Sequence, residues 1–473
     1  MSEKKLRRLP LAAAALVACV SAQAEYQSPD GNFRLSGFGT IGAVRNGTDD
    51  AEFNYPGQGG GATKRGSLNP DSKLAVQGTY KFSPTVSGTT QVMTKYDADG
   101  QYVPGIEWAF AKWQATPGLS FRAGRMGAPY FMISDFRDVG YANTTVRPAL
   151  DVYGQVPVSQ FQGADASYQL NVGQSTVTAT LWAGDSKAYF NSASTKPPTE
   201  VLIQGQIGLN LQADLSEGWS MRLGRSQGKL TLNSASGDLL RAYSTGQSRP
   251  GDSVALQTAA AQGAGVRAIL AGAAAGSVPT AAASLASLSQ VDALVNPSGV
   301  NASFTGFGLT YDQDNWVFNG EYTKRKTDSF VSDTTGWYGT LGYRISKFTP
   351  YFGLSKVVTN RRSSNPVVAS NLVGTLGGGN ANAVAADFVT GNVKAGVDSV
   401  LGVEKLDQKT TTLGVRWDAT SSLAVKAQFD RIVKPADSNG MFLIPDSTTS
   451  AARNFTNNKR SVNVLTLSVD FVF

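Results

Sequence analysis

The chain has 473 residues, of which 16% are charged and none is His; Lys plus Arg number 42 against 35 Asp plus Glu. Without imidazole there is no His-held zinc or haem, no Ser-His-Asp triad and no imidazole base, so neither an enzyme nor a cofactor or metal site is expected. With 51 Gly, 22 Phe, 16 Tyr and 7 Trp in so charge-poor a chain, an all-β architecture is favoured.

Residues 1–24 read as a cleaved secretory signal peptide. Lys4, Lys5, Arg7 and Arg8 precede a short apolar stretch from Leu9 to Val20, and Ala22-Gln23-Ala24 offers a small-residue cleavage site. Cleavage there removes Cys19 and leaves 38 basic and 34 acidic residues. That balance, with no dense basic-aromatic patch, speaks against nucleic acid as a partner. Residues 25–473 are then a single domain.

Beyond the signal, segments of about ten residues alternate between apolar and polar side chains, the period of a strand with two different faces. Leu74, Val76, Gly78, Tyr80 and Phe82 oppose Gln77, Thr79 and Lys81. Ala164, Ala166, Tyr168 and Leu170 oppose Asp165, Ser167, Gln169 and Asn171. Ile203, Ile207, Leu209 and Leu211 oppose Gln204, Gln206, Asn210 and Gln212. Leu413, Val415 and Trp417 oppose Thr412, Arg416 and Asp418, and the chain closes on Leu465, Leu467, Val469, Phe471 and Phe473 with Ser468 and Asp470 between them.

The pattern predicts sixteen strands, near 32–44, 73–82, 86–96, 105–114, 118–126, 161–172, 175–184, 202–213, 219–228, 303–312, 315–325, 337–346, 351–358, 410–418, 422–432 and 461–473. Turn-like connections such as Ser83-Pro84-Thr85 and Val172-Gly173-Gln174 alternate with long ones, above all 229–302 and 359–409. The Ala-rich part of 229–302 is expected to hold a short helix capped near Thr280, with Leu285, Leu288 and Val291 on one side. Gly377 to Gly379 mark a flexible loop.

Inward-facing Gln, Asn, Arg and Asp suit a water-filled lumen better than a packed core, where each would need a partner. Apolar faces turned to lipid then require a sheet closed on itself. The fold expected is a closed antiparallel transmembrane β-barrel with short turns at one end and long loops at the other. Strand phase puts Lys81, Arg122, Arg222, Arg344, Arg416 and Lys426 on the luminal side, with Glu107, Glu321, Asp418, Asp430 and Asp470. The connection 126–160 adds Asp135, Asp138 and Asp151 as an acidic set, and Arg137 and Arg147. Those two arginines either add positive charge or pair with nearby Asp to hold the loop, with Tyr141 and Tyr153 as further anchors.

The opening Ser36-Gly37-Phe38-Gly39, the sixteen strands in short-long order, the long connection after the fifth strand and the terminal Phe473 together resemble the general diffusion porins of the Gram-negative outer membrane. The resemblance covers the whole mature chain; the enlarged loops 229–302 and 359–409 depart from it. It implies an outer-membrane barrel, a homotrimer in lipid, and passive diffusion of ions and small hydrophilic solutes. It also implies that Phe473, with Phe471 and Val469, is read by the barrel-assembly machinery. By the same resemblance 126–160 is a constriction loop, its Asp135 and Asp138 facing a basic wall of Arg122, Arg344 and Arg416. The inward Arg and Lys set suggests a slight anion preference. A substrate-selective porin, for a sugar, aromatic acid or amide, is the alternative, and a surface adhesin or structural barrel a more distant one.

Overall fold

A computed structural model describes residues 25–191, 197–447 and 449–473; the proposed signal peptide lies outside the described residues. Among these residues sixteen long strands form one antiparallel sheet. In chain order they are β1 (Phe33–Asn46), β2 (Lys73–Lys81), β3 (Val86–Lys95), β4 (Gly105–Gln114), β5 (Leu119–Gly127), β6 (Gln160–Val172), β7 (Ser175–Phe190) and β8 (Thr199–Asp214). There follow β9 (Trp219–Asn233), β10 (Val300–Gln313), β11 (Trp316–Thr327), β12 (Asp333–Tyr343), β13 (Phe348–Arg361), β14 (Gln408–Thr420), β15 (Leu423–Lys434) and β16 (Arg460–Val472). Each predicted strand is present, most extended by a few residues toward the long-loop end.

Each strand pairs with its chain neighbours, and β16 pairs with β1 from Val464↔Asn46 to Val472↔Phe38, which closes the barrel and leaves no free edge. The ladder continues past the last strand, since Phe473 and Gly37 exchange backbone hydrogen bonds of 2.9 and 2.7 Å. The glycines of the opening motif make room here. A Cβ at Gly37 would lie 2.3 Å from the Phe473 ring, and one at Gly39 would lie 2.4 Å from the Phe471 ring.

The two faces of the sheet separate as the alternation requires. Large apolar side chains stand exposed on the outside of every strand; Leu181, Leu413 and Leu467 are each more than half exposed. Aromatic residues gather near the short turns, where Trp219 packs on Tyr311, Trp316 on Tyr343 and Phe348 on Trp417. A belt of such rings fits the boundary between hydrocarbon and water. No helix among the described residues is long and apolar enough to cross a membrane; this barrel crosses with strands.

One strand breaks phase. Across Gly205, β8 carries one residue more than either neighbour: Gly184↔Gln206 is followed by Ser186↔Ile203 on β7, and Gln227↔Ile207 by Lys229↔Gln204 on β9. Gly205 adopts φ +55°, a left-handed conformation natural to glycine, and its N–H donates to Asp185 Oδ1 at 2.7 Å. Below this bulge Ile207, Leu209 and Leu211 face out as the alternation predicts. Above it Ile203 turns inward instead of sharing their face, and Val201 with it.

The long loops hold more helix than the sequence pattern indicated. Connection 234–299 forms α2 (Ala235–Thr245), α3 (Val254–Ala275), α4 (Pro279–Leu288) and α5 (Val291–Val295); 362–407 forms α6 (Leu372–Leu376) and α7 (Ala381–Gly402). The helix expected near Thr280 is α4, capped at Val278; Leu285 and Leu288 pack on the same cluster, but Val291 opens the next helix, α5, instead of continuing α4. The two loops share one core, in which Leu270, Leu288 and Val291 meet Leu372, Val393 and Val397. A second apolar cluster joins loops 47–72 and 435–459 inside the mouth, where Phe442 packs edge-on against Phe53 and Phe455.

Candidate functional site

The connection between β5 and β6, residues 128–159, folds into the barrel and touches opposite walls. It contains the short helix α1 (Leu150–Tyr153). On one wall, Arg222 of β9 donates to the carbonyls of Pro129 and Phe131 at 2.7 and 2.6 Å. Glu321 of β11 accepts from Met132 N at 2.8 Å, from the Tyr153 hydroxyl and from Tyr338 Oη at 3.0 Å. The Phe131 and Tyr153 rings stack at 4.4 Å within a buried cluster that includes Phe161, Trp182 and Phe304.

On the other wall, Lys426 of β15 is fully buried and donates to the carbonyls of Gly140, Asn143 and Thr145 at 2.6–3.0 Å, with Asp470 at 3.1 Å. Arg416 donates to the carbonyls of Tyr141 and Asn143 at 2.7 and 3.0 Å and lies over the Tyr141 ring, whose hydroxyl donates to Ser421 O. Arg147 is bidentate to Asp71 at 3.0 and 2.6 Å and also reaches Asp430 at 3.2 Å and Thr466 at 2.6 Å. Backbone carbonyls of an irregular segment are thus satisfied by charged donors from the wall, which a polar lumen supplies and a hydrocarbon core could not.

The acidic residues proposed from sequence take three different places. Asp138 sits between Lys73 at 3.1 Å and Lys95 at 3.8 Å, with Arg137 at 3.7 Å. Burial alone would raise its carboxyl, but the three cations more than reverse that and hold it well below the usual carboxylate range. Asp135 is exposed and borders two cavities, of about 800 and 720 Å³; the larger runs from Asp312 and Asp418 near the short turns to Gln408 and Ile432 near the long-loop end. Asp151 is buried in α1, accepting from Ser355 at 2.7 Å and Thr410 at 2.9 Å, while its Oδ1 has no hydrogen-bond partner among the described residues. Glu107 accepts from Ser159 and lies 3.5 Å from Lys95.

The expected facing of Asp135 and Asp138 with Arg122, Arg344 and Arg416 is not formed as ion pairs among the described residues. Arg122 is held by Asp165, its directly opposite neighbour on β6; Arg344 is held by Asp312 and Arg416 by Asp418. Each of these three arginines therefore has a carboxylate on the wall itself. Asp135 shares the larger cavity with Arg222, Arg344 and Arg416 without touching them. Lys81 is exposed at the turn end of β2. Lys73, Lys95 and Asp71 were not singled out by sequence, although one signal existed. Lys73 and Lys95 are directly opposite on β2 and β3, and like charges so placed call for a carboxylate between them.

Burial pushes the Asp151 carboxyl up to about 6, against the hydrogen bonds from Ser355 and Thr410. Below the ordinary carboxylate range both folded and unfolded chains hold the proton, so the packing is at full strength. As pH rises toward 6 the unfolded chain ionises first, and stability falls across that window. Between about pH 4 and pH 7 the wild type should lose up to ~3 kcal/mol relative to Asp151→Asn, read from urea midpoints of the detergent-folded barrel. Parallel pH profiles for the two proteins would refute this.

The closed sixteen-stranded sheet, its lipid-facing exterior and its polar lumen crossed by the loop after the fifth strand are together the decisive features. This barrel resembles the outer-membrane porins of Gram-negative bacteria. No family model and no curated protein matches the sequence. Several solved structures match along nearly the whole porin-like chain, and their likeness concerns the fold. A Salmonella typhi OmpF in complex with daunomycin has 12% identity and a TM-score of 0.49, covering 95% of this chain and 100% of its own. The OmpT of Vibrio cholerae gives 10%, 0.45, 95% and 100%. An anion-selective porin from Comamonas acidovorans gives 10%, 0.45, 93% and 99%. The fold is that of an outer-membrane barrel, spanning the bilayer with its sixteen strands.

Proposed function

We propose that the barrel conducts ions and small hydrophilic solutes passively, and that residues 126–160 narrow the path and set its field. The observation that carries this reading is the cavity of about 800 Å³ beside the segment, lined by Asp135, Arg222, Asp312, Arg344, Arg416 and Asp418 among others. Charged groups of both signs against open space favour water and polar solutes, and no chemical step is required of them. Planar-bilayer recording should show ohmic channels; a folded, inserted protein that carries no current would defeat the proposal.

Selectivity should be weak, because Arg147, Arg344 and Arg416 each have a carboxylate within ion-pair distance. Arg222 is held by carbonyls, and it supplies the slight anion preference. Asp135, exposed to both cavities, opposes it. Asp135→Asn should therefore raise the anion-to-cation permeability ratio about twofold, measured as a reversal potential in a salt gradient. An unchanged potential would remove Asp135 from the conducting path. Homotrimer formation and recognition of Phe473, Phe471 and Val469 by the assembly machinery belong to the same reading. They are supported by the wide apolar exterior and by the position of these residues at the seam.

A further inference from the structure

A second cavity, of about 500 Å³, lies on the long-loop side of the segment and has a different chemistry. Its wall is built from Val201 and Ile203 of β8, turned inward by the bulge at Gly205, and from Leu230 and Leu232 of β9. Phe304 and Phe330 add rings, and helices α2 and α7 close it from above. Among the described residues lining it, Arg325 and Glu404 are the two that carry charge, and they are paired at 3.1 Å. The remaining guanidinium donors are spent on the carbonyls of Gln155 and Ser332. No net charge is left to face a solute.

A vestibule for ions gains nothing from inward aliphatic side chains, which have to be kept against water at the mouth of a polar pore. A cavity of this size whose surface is mainly apolar, with uncharged Asn, Gln, Ser and Thr side chains set among the aliphatic and aromatic ones, is the form of a site for a small organic molecule. We infer that this chamber binds a neutral, ring-bearing solute, aromatic or alicyclic, with at most a hydroxyl or carbonyl. The neutralised ion pair disfavours charged ligands, and Phe304 and Phe330 offer faces and edges to a ring. The inference rests on the pore reading only in placing the chamber on the path of a solute.

The full chain, refolded and inserted in lipid nanodiscs, is titrated calorimetrically with 2-naphthol, with glucose as the polar control. Saturable binding of one 2-naphthol per chain, above that of empty nanodiscs, and none of glucose, is expected. Ser226→Trp fills the chamber from β9 and Val400→Glu charges it from α7; each should weaken binding about tenfold or more. Arg344→Gln, in the other cavity, should leave it unchanged. Heat-modifiable gel migration confirms that each variant is folded. No saturable binding, or wild-type affinity in both folded chamber variants, overturns the inference. So does an acyl chain found by mass spectrometry to co-purify with the wild type and to be lost from both variants. Because the titration needs no ion flow, a barrel that binds 2-naphthol but carries no current would separate this inference from the pore reading.

Discussion

Replacing Arg147 with Met should cost about 3–5 kcal/mol, the usual consequence of stranding buried carboxylates by removing their partner. The guanidinium is 4% exposed, and the carboxylates it serves, Asp71 and Asp430, are scarcely more so. Asp71 lies in the first long loop and Asp430 on β15, so the variant should loosen the luminal segment from two elements at once. The urea midpoint should fall and single-channel current should become noisier as residues 140–150 lose their hold. Adding Asp71→Asn and Asp430→Asn to Arg147→Met should recover much of the lost stability, because the stranded charges go with it. If the triple variant is no better than the single one, the lost packing of Arg147 over the Phe53 ring matters more than the charge.

Leu467→Arg places a cation half-way along β16 on the face read as meeting hydrocarbon. In lipid it should cost about 2–4 kcal/mol, as arginine does near the bilayer midplane of a β-barrel. Gln212→Arg adds the same charge to the lining of the larger cavity, near Asp214 and Asp312, and should be close to neutral. Equilibrium unfolding from vesicles measures both. Equal costs, or a costlier Gln212→Arg, would invert the assignment of faces on which the pore reading depends.

The strands were legible because two solvents act on them at once. Lipid on one side and water on the other force a period of two, and Leu465 to Phe471 displays it without interruption. The seam was partly legible too: Ser36-Gly37-Phe38-Gly39 and the terminal aromatics are visible in sequence, but that the rings lie over the glycines is a matter of register. The helices of 229–302 and 362–407 were harder to read. Segment Val254–Ala275 is Ala-rich with little difference between its faces, and its burial depends on a helix more than a hundred residues away. Within the lumen, sequence marked Arg147, Arg416 and Lys426 as luminal or anchoring but could not name their partners. Donors on β14 and β15 meet carbonyls some 280 residues earlier in the chain. The phase change at Gly205 was hidden for a simpler reason: one residue in a Gly-rich chain inverts everything beyond it.

That single insertion uncouples the two halves of β8. The strand keeps its hydrogen bonds to both neighbours on either side of the irregularity, so the lower half can go on satisfying the bilayer while the upper half answers to whatever enters the mouth. Deleting Gly205 would straighten the ladder and leave Val201 and Ile203 facing the lumen, whereas a residue at 205 that is drawn into regular pairing would turn Leu202 and Gln204 inward and return Val201 and Ile203 to the outside. An outer vestibule could therefore be re-lined in evolution or by design through one codon, leaving the staves of the barrel in place.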